Sequence, residues 1–304
     1  MNILRKVYNL LNAVIRKGFW YNNVKFTDCK KFWTYTCFNT DIVNLGSTSA
    51  VNAFNYTGIP LKCANWALKT NPLTGDLAIL KNYLSYLKSN NATVLIPICP
   101  FSSLSGRYKI TEDKYYTILY PASIPNYSYK KHQQIKCEMH EPIRIYPLWC
   151  MFSDLRNIFK KKKNIILSET EMQIDAKNWM NNWMKEFGIT DFSYQLSLIN
   201  QDAIEDAAKI LNEIISLCKE RNIKPKLLVP PVYHSLGILF STEIKNKIID
   251  SLINKIEDKS IWYHNYMDDE DFANNSSLFQ NSFLLNEKGA LLFTKRVMKD
   301  LELI

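Results

Sequence analysis

Gly46-Ser47-Thr48-Ser49 places three hydroxyls directly behind a glycine, at the end of the apolar run Ile42-Val43-Asn44-Leu45. A strand that ends in glycine and turns into a helix can raise such a side chain above the carboxyl edge of a sheet. The first N–H groups of that helix can then stabilise an oxyanion. The chemistry would be nucleophilic acyl transfer, with Gly46 in the oxyanion turn, provided that a base takes the hydroxyl proton. The pattern is not Gly-x-Ser-x-Gly, and Ser or Thr after a strand serves equally as a turn former or helix cap. Two histidines are candidate bases. His264 follows Ser260-Ile261-Trp262-Tyr263 and precedes Asp268, Asp269 and Asp271; it is either a base or a partly buried ring bonded to a backbone carbonyl. His234, in Pro-Pro-Val-Tyr-His-Ser, either contacts a ligand or caps the next helix. The four His are scattered and none pairs with a Cys at ligand spacing, so no metal site or cofactor is expected. The seven Cys are odd in number and form no Cys-x-x-Cys, which fits reduced thiols in a cytoplasmic protein, peripheral to a membrane at most.

The elements that would position these groups alternate. Strands are expected at about 41–46, 60–66 and 92–99, in Lys224-Pro-Lys-Leu-Leu-Val, and in Lys259-Ser-Ile-Trp-Tyr-His. Amphipathic helices are expected at about 75–90 and 201–223, at the stretch that Ser241 would cap, and at the closing stretch Asn286–Leu303. Continuous apolar strands separated by helices predict an α/β fold, a parallel sheet of about five strands covered on both faces. Any site should lie at the carboxyl ends of the strands. The stretch 101–190 breaks the rhythm and reads as an irregular insertion, a lid beside the site. Within it, Trp179, Trp183 and Met184 recur at helical spacing, either packing or a ligand wall. The expected division is a basic lead-in over 1–40 and an α/β domain over 41–304.

The closing stretch Phe279-Gln-Asn-Ser-Phe-Leu-Leu-Asn-Glu-Lys-Gly resembles the final block of the SGNH/GDSL hydrolase family. There, Asp-x-x-His-Leu-Asn-x-x-Gly precedes the last helix; Leu285, Asn286 and Gly289 keep the second half of that pattern. Leu45-Gly-Ser-Thr-Ser then looks like the family's first block. Leu227-Leu-Val-Pro-Pro-Val-Tyr-His-Ser resembles the fourth-strand segment of its polysaccharide-linked branch. The resemblance covers most of the chain outside the insertion. It implies a three-layer, flavodoxin-like (SGNH-type) sheet and an esterase or O-acetyltransferase ancestry. Carried across by position, the nucleophile place holds Thr48, the acid place Asn281 and the base place Leu284. The oxyanion asparagine expected after the third strand is missing from Pro97-Ile-Cys-Pro-Phe-Ser-Ser. Asn65 is the nearby amide that could replace it, or a turn residue. Leu284 accepts no proton, and Asn281 has no charge with which to hold an imidazolium.

Two functions follow as expectations. The first is a non-catalytic SGNH-like protein that binds a glycan, an acylated small molecule or a partner in surface-polysaccharide metabolism. The second is an active serine or threonine esterase or O-acetyltransferase that uses Ser47, Thr48 or Ser49 with His264 or His234. The net charge of +9 is concentrated early: residues 1–40 hold seven Lys/Arg against the single Asp28. No nucleic-acid-binding signature accompanies it, so no nucleic acid is expected. Phe159-Lys-Lys-Lys-Lys-Asn adds a basic run, read as a solvated loop. Leu4, Val7, Tyr8, Leu11, Val14 and Ile15 share one helical face among Arg5, Lys6, Arg16 and Lys17. That face would either pack on the body of the protein or, through residues 1–18, lie on an anionic membrane surface.

Overall fold

Five short apolar runs become the strands β1 (Ile42–Asn44), β2 (Cys63–Asn65), β3 (Thr93–Pro97), β4 (Lys224–Val229) and β5 (Trp262–Asn265). In the computed structural model, which describes residues 2–35, 37–110, 112–159 and 167–304, they form one sheet. The strand order is β2-β1-β3-β4-β5 and every pairing is parallel. The order reverses direction between β1 and β3, the crevice in which doubly wound sheets bind their ligands. Register aligns Asn44 with Asn65 and Leu95, Pro97 with Leu228, and Leu228 with His264. β1 and β3 are wholly buried, whereas His264 and Asn265 on the edge strand β5 are exposed.

The principal helices are α1 (Asn2–Lys17), α2 (Thr48–Ala53), α3 (Leu73–Tyr83), α4 (Tyr129–His140), α5 (Cys150–Phe159), α6 (Glu169–Glu186), α7 (Leu198–Glu220) and α8 (Glu287–Asp300). α3 packs with α7, and α2 packs with α8. Phe54, Tyr266, Phe293 and Val297 are buried in one cluster beside the α2–α8 pair. Ser241 caps the helical stretch 242–253 by accepting the Ile244 N–H at 3.3 Å. α7 begins earlier than the acidic residues predict: Ser197, which accepts the Asn200 N–H, sets its start.

The chain divides into two compact units, residues 1–36 with 110–163, and residues 37–109 with 164–304. This differs from the expected lead-in over 1–40 and insertion over 101–190. Residues 167–190 belong with the sheet because α6 packs aromatically there. Trp179 and Trp183 each lie 4.9 Å from Phe283, and Trp183 lies 4.9 Å from Phe101. The aromatic stripe is therefore packing. The N-terminal segment has a core of its own with 110–159. Trp20, Tyr21, Phe26, Cys29, Phe32, Tyr115 and Ile135 are buried in this unit, with Tyr21 on Phe26 at 5.0 Å. Lys160–Lys163 and Asn164 of the basic run lie outside the described residues. Among the described residues, no helix is long and apolar enough to cross a membrane.

Candidate functional site

Gly46 closes β1 with φ +115°, and a Cβ there would stand 2.6 Å from the Ala50 Cβ, so the turn needs glycine. Its N–H does not face an open oxyanion site. It donates to Asp76 Oδ1 at 2.8 Å, and the same oxygen accepts Asn71 Nδ2 at 2.6 Å. Asp76 sits in the first turn of α3 and is 2% exposed. Burial pushes its carboxyl up to about 7, and the two hydrogen bonds pull the other way. Sequence reasoning missed this residue. The signal was available: Asp76 shares a helical stripe with Ile79, Leu80 and Tyr83, an acid on the face that must be buried.

The three hydroxyls separate. Ser47 is the N-cap residue of α2 by backbone, and its side chain makes no capping bond. Thr48 Oγ1 accepts the Thr70 N–H at 3.2 Å. Ser49 is buried, and its hydroxyl hydrogen-bonds the Cys99 thiol, two residues beyond β3. Burial pushes that thiol up to about 12, so at neutral pH it is a neutral SH group and not a base.

Asn65 is engaged in holding α2. Its Nδ2 donates to the carbonyls of Ala50, Val51 and Phe54 at 3.3 Å each, and its Oδ1 accepts Asn44 Nδ2 at 3.0 Å and the Ala67 N–H at 3.1 Å. Asn44 also accepts the Tyr56 hydroxyl at 3.0 Å. The paired asparagines tie β1, β2 and α2 together, a structural use of an amide that sequence could assign to oxyanion binding.

The loop before α8 lies beside the turn. Thr48 O accepts Asn52 Nδ2 at 2.8 Å, and Asn52 Oδ1 accepts Gln280 Nε2 at 3.0 Å. Asn281 Oδ1 accepts the N–H groups of Phe283 (3.0 Å) and Leu284 (2.8 Å). Leu284 is 9% exposed. Ser282 donates through both N–H and Oγ to Asp175 Oδ2 of α6, at 2.9 and 2.6 Å. Asn286 caps α8: its Oδ1 accepts the Gly289 N–H at 3.0 Å, and its Nδ2 reaches Ser277 O and Phe279 O. A Cβ on Gly289 would run into the Leu278 carbonyl. The Leu-Asn-x-x-Gly pattern is thus a capping and close-approach device.

The two histidines fare differently. His264 is level with Pro97 through the register of β5, β4 and β3. It nevertheless lies three strand spacings from β1, about 14 Å. It is exposed, stacks on Trp262 and meets Tyr266 at a tilt. His234 follows β4 with its Nε2 3.4 Å from Glu169 Oε1, while Glu169 Oε2 accepts the Tyr233 hydroxyl at 2.5 Å. Burial, followed by this bond, pushes the Tyr233 phenol up to about 12. His234 Nδ1 is buried and has no partner among the described residues. Neither ring hydrogen-bonds the hydroxyls of Ser47–Ser49. Glu169 was not legible as a partner of His234. Ser168-x-x-Glu171 marks the helix start as a capping box, and the contact is tertiary. Neither a scan against protein-family models nor a search of the curated proteins finds a match to this chain.

Proposed function

We propose that this chain is an SGNH-hydrolase-like α/β protein that has lost hydrolytic machinery and binds a glycan or an acylated small molecule in surface-polysaccharide metabolism. The ligand would lie at the carboxyl edge of the sheet, near the reversal between β1 and β3. The fold assignment within α/β, three-layer and flavodoxin-like, draws support from the strand order, the Gly-Ser-Thr-Ser turn after β1 and the Leu-Asn-x-x-Gly cap of the last helix. One observation carries the functional reading. The loop that touches α2 through Gln280 offers, at the places for acid and base, an amide whose oxygen accepts two backbone N–H groups and a buried hydrocarbon. A hydroxyl without a proton acceptor is a poor nucleophile at neutral pH.

The test pairs a fluorophosphonate probe and p-nitrophenyl acetate with saturation-transfer NMR against acidic and O-acetylated oligosaccharides. The reading expects no covalent labelling and no turnover, together with saturation transfer to a glycan. Labelling at Ser47, Thr48 or Ser49 with turnover would overturn it. The second reading is an active esterase or O-acetyltransferase, and one contact favours it: His234 beside Glu169 with Nδ1 unpartnered, a base with a carboxylate to orient it. On that reading Glu169→Gln and His234→Gln abolish turnover alike.

A further inference from the structure

α1 docks the wrong way round for a core helix. Toward its own unit it turns Tyr8, Asn12 and Ile15: Tyr8 donates its hydroxyl to Glu141 at 3.1 Å, and Asn12 Oδ1 accepts the Ile143 N–H at 3.0 Å. Ile15 is buried. Ile3, Leu4, Val7, Leu10, Leu11 and Val14 are left exposed, Ile3 and Leu4 at 79% and 82%. At 3.6 residues per turn these six occupy about 120° of the helix circumference. Lys6 and Lys17 line one margin of that arc, with Arg5 and Arg16 farther round.

The same unit carries a second such face. Leu148 (78%) and Phe152 (72%), with Met151 and Leu155, fall on one side of α5 and its approach, and Trp149 beside them is 77% exposed. The two helices are fastened to a common point. Asp154 of α5 accepts the Trp20 N–H at 2.8 Å, just past the end of α1, and the Tyr146 hydroxyl at 2.9 Å.

Charge selects the occupant. Excluding Lys160–Lys163, this unit holds thirteen Lys/Arg against six Asp/Glu, whereas the sheet unit holds twenty-one against twenty-three. The surplus of positive charge therefore resides in the unit that carries the exposed apolar helices. We infer that the 1–36/110–163 unit is a membrane-surface module that lays the apolar faces of α1 and α5 into an anionic phospholipid bilayer. Leucine, isoleucine and valine insert below the headgroups, Trp149 sits at headgroup level, and Lys6 and Lys17 meet lipid phosphates and carboxylates.

The experiment is co-sedimentation of the full chain with vesicles of phosphatidylcholine containing phosphatidylserine, and with vesicles of phosphatidylcholine alone. Binding should be at least tenfold stronger to the anionic vesicles, since each lysine near the surface contributes about 1 kcal/mol, and should weaken as salt rises. Leu4→Glu with Leu11→Glu, and separately Phe152→Glu, should each lower binding by about tenfold or more. These positions are solvent-exposed, so circular dichroism and thermal melting should be unchanged. No binding of the wild type to anionic vesicles would overturn the inference, as would undiminished binding by folded variants. A wild-type dimer that Leu4→Glu with Leu11→Glu converts to monomer would also overturn it, because a second copy would then be the occupant.

Discussion

Asp76 is the most consequential buried charge beneath the turn, and replacing it by asparagine tests why it is there. The native carboxyl titrates near 7, against an ordinary value of 3.8, because burial disfavours its anion more than the Gly46 and Asn71 donors favour it. A carboxyl raised in the folded state binds a proton that the unfolded chain has released. Its contribution to stability is therefore full below about pH 4 and is lost as pH climbs to about 7. Three units at 1.36 kcal/mol each give a total loss of about 4 kcal/mol, of which about 3 kcal/mol falls between pH 5 and pH 8. The asparagine of the variant would still offer a carbonyl oxygen to both donors but could not ionise. Urea unfolding at pH 5 and pH 8, followed by tryptophan fluorescence, gives the stability of each protein. Asp76→Asn should gain about 3 kcal/mol relative to wild type on passing from pH 5 to pH 8, whatever its absolute stability. A difference between the two proteins that stays constant with pH, within about 1 kcal/mol, would refute the reasoning.

Other substitutions probe the scaffold in turn. Gly46→Ala combines a positive φ with a Cβ clash against Ala50 and should cost about 2 kcal/mol or more in the same assay. Asn286→Ala removes the cap of α8 and strips Ser277 O and Phe279 O of their donor; a loss of about 2 kcal/mol is expected, with faster amide exchange in the first turn of α8. Lys25→Met should destabilise the 1–36/110–163 unit by about 3 kcal/mol by calorimetry. Lys25 pairs with buried Glu138 at 2.8 Å and with Asp113 at 3.0 Å, and its loss leaves Glu138 without its cation. Burial raises Asp113, but Lys25 and Lys131 outweigh it and hold the carboxyl below its ordinary value. The wild-type unit should accordingly lose stability as pH falls below about 4, and Lys25→Met should lose less over that range.

Much of the sheet is written in the chain because a central parallel strand must be apolar on both faces, as Val94, Leu95 and Ile96 are. Ser241 was likewise readable, since capping is local chemistry, whereas the capping role of Asn286 emerged from the structure. Periodicity identified an apolar stripe on α1 but carries no information about which way the stripe turns; Tyr8 and Asn12 decide that through partners more than a hundred residues distant. The partners of Asn65 escaped the sequence for the same reason. An amide looks alike in sequence whether it faces a ligand or the open carbonyls of α2. The Gly46 N–H is spent on Asp76, a partner thirty residues away that only the packing of α3 supplies.

The loop before α8 is shaped by the turn that Asn281 makes with its own backbone. Asn281 Oδ1 accepts the N–H groups of Phe283 and Leu284, and a carboxylate oxygen would accept the same two bonds, more strongly for being charged. An aspartate at 281 would fill the same turn. At 284 the enclosure that suits leucine would disfavour an imidazolium and keep an imidazole neutral, the form in which it can take a proton. Positions 281 and 284 both lie in a loop that Asp175, Tyr233 and Asn52 hold from three directions. On the proposed reading, those contacts would let the loop keep its shape without catalysis.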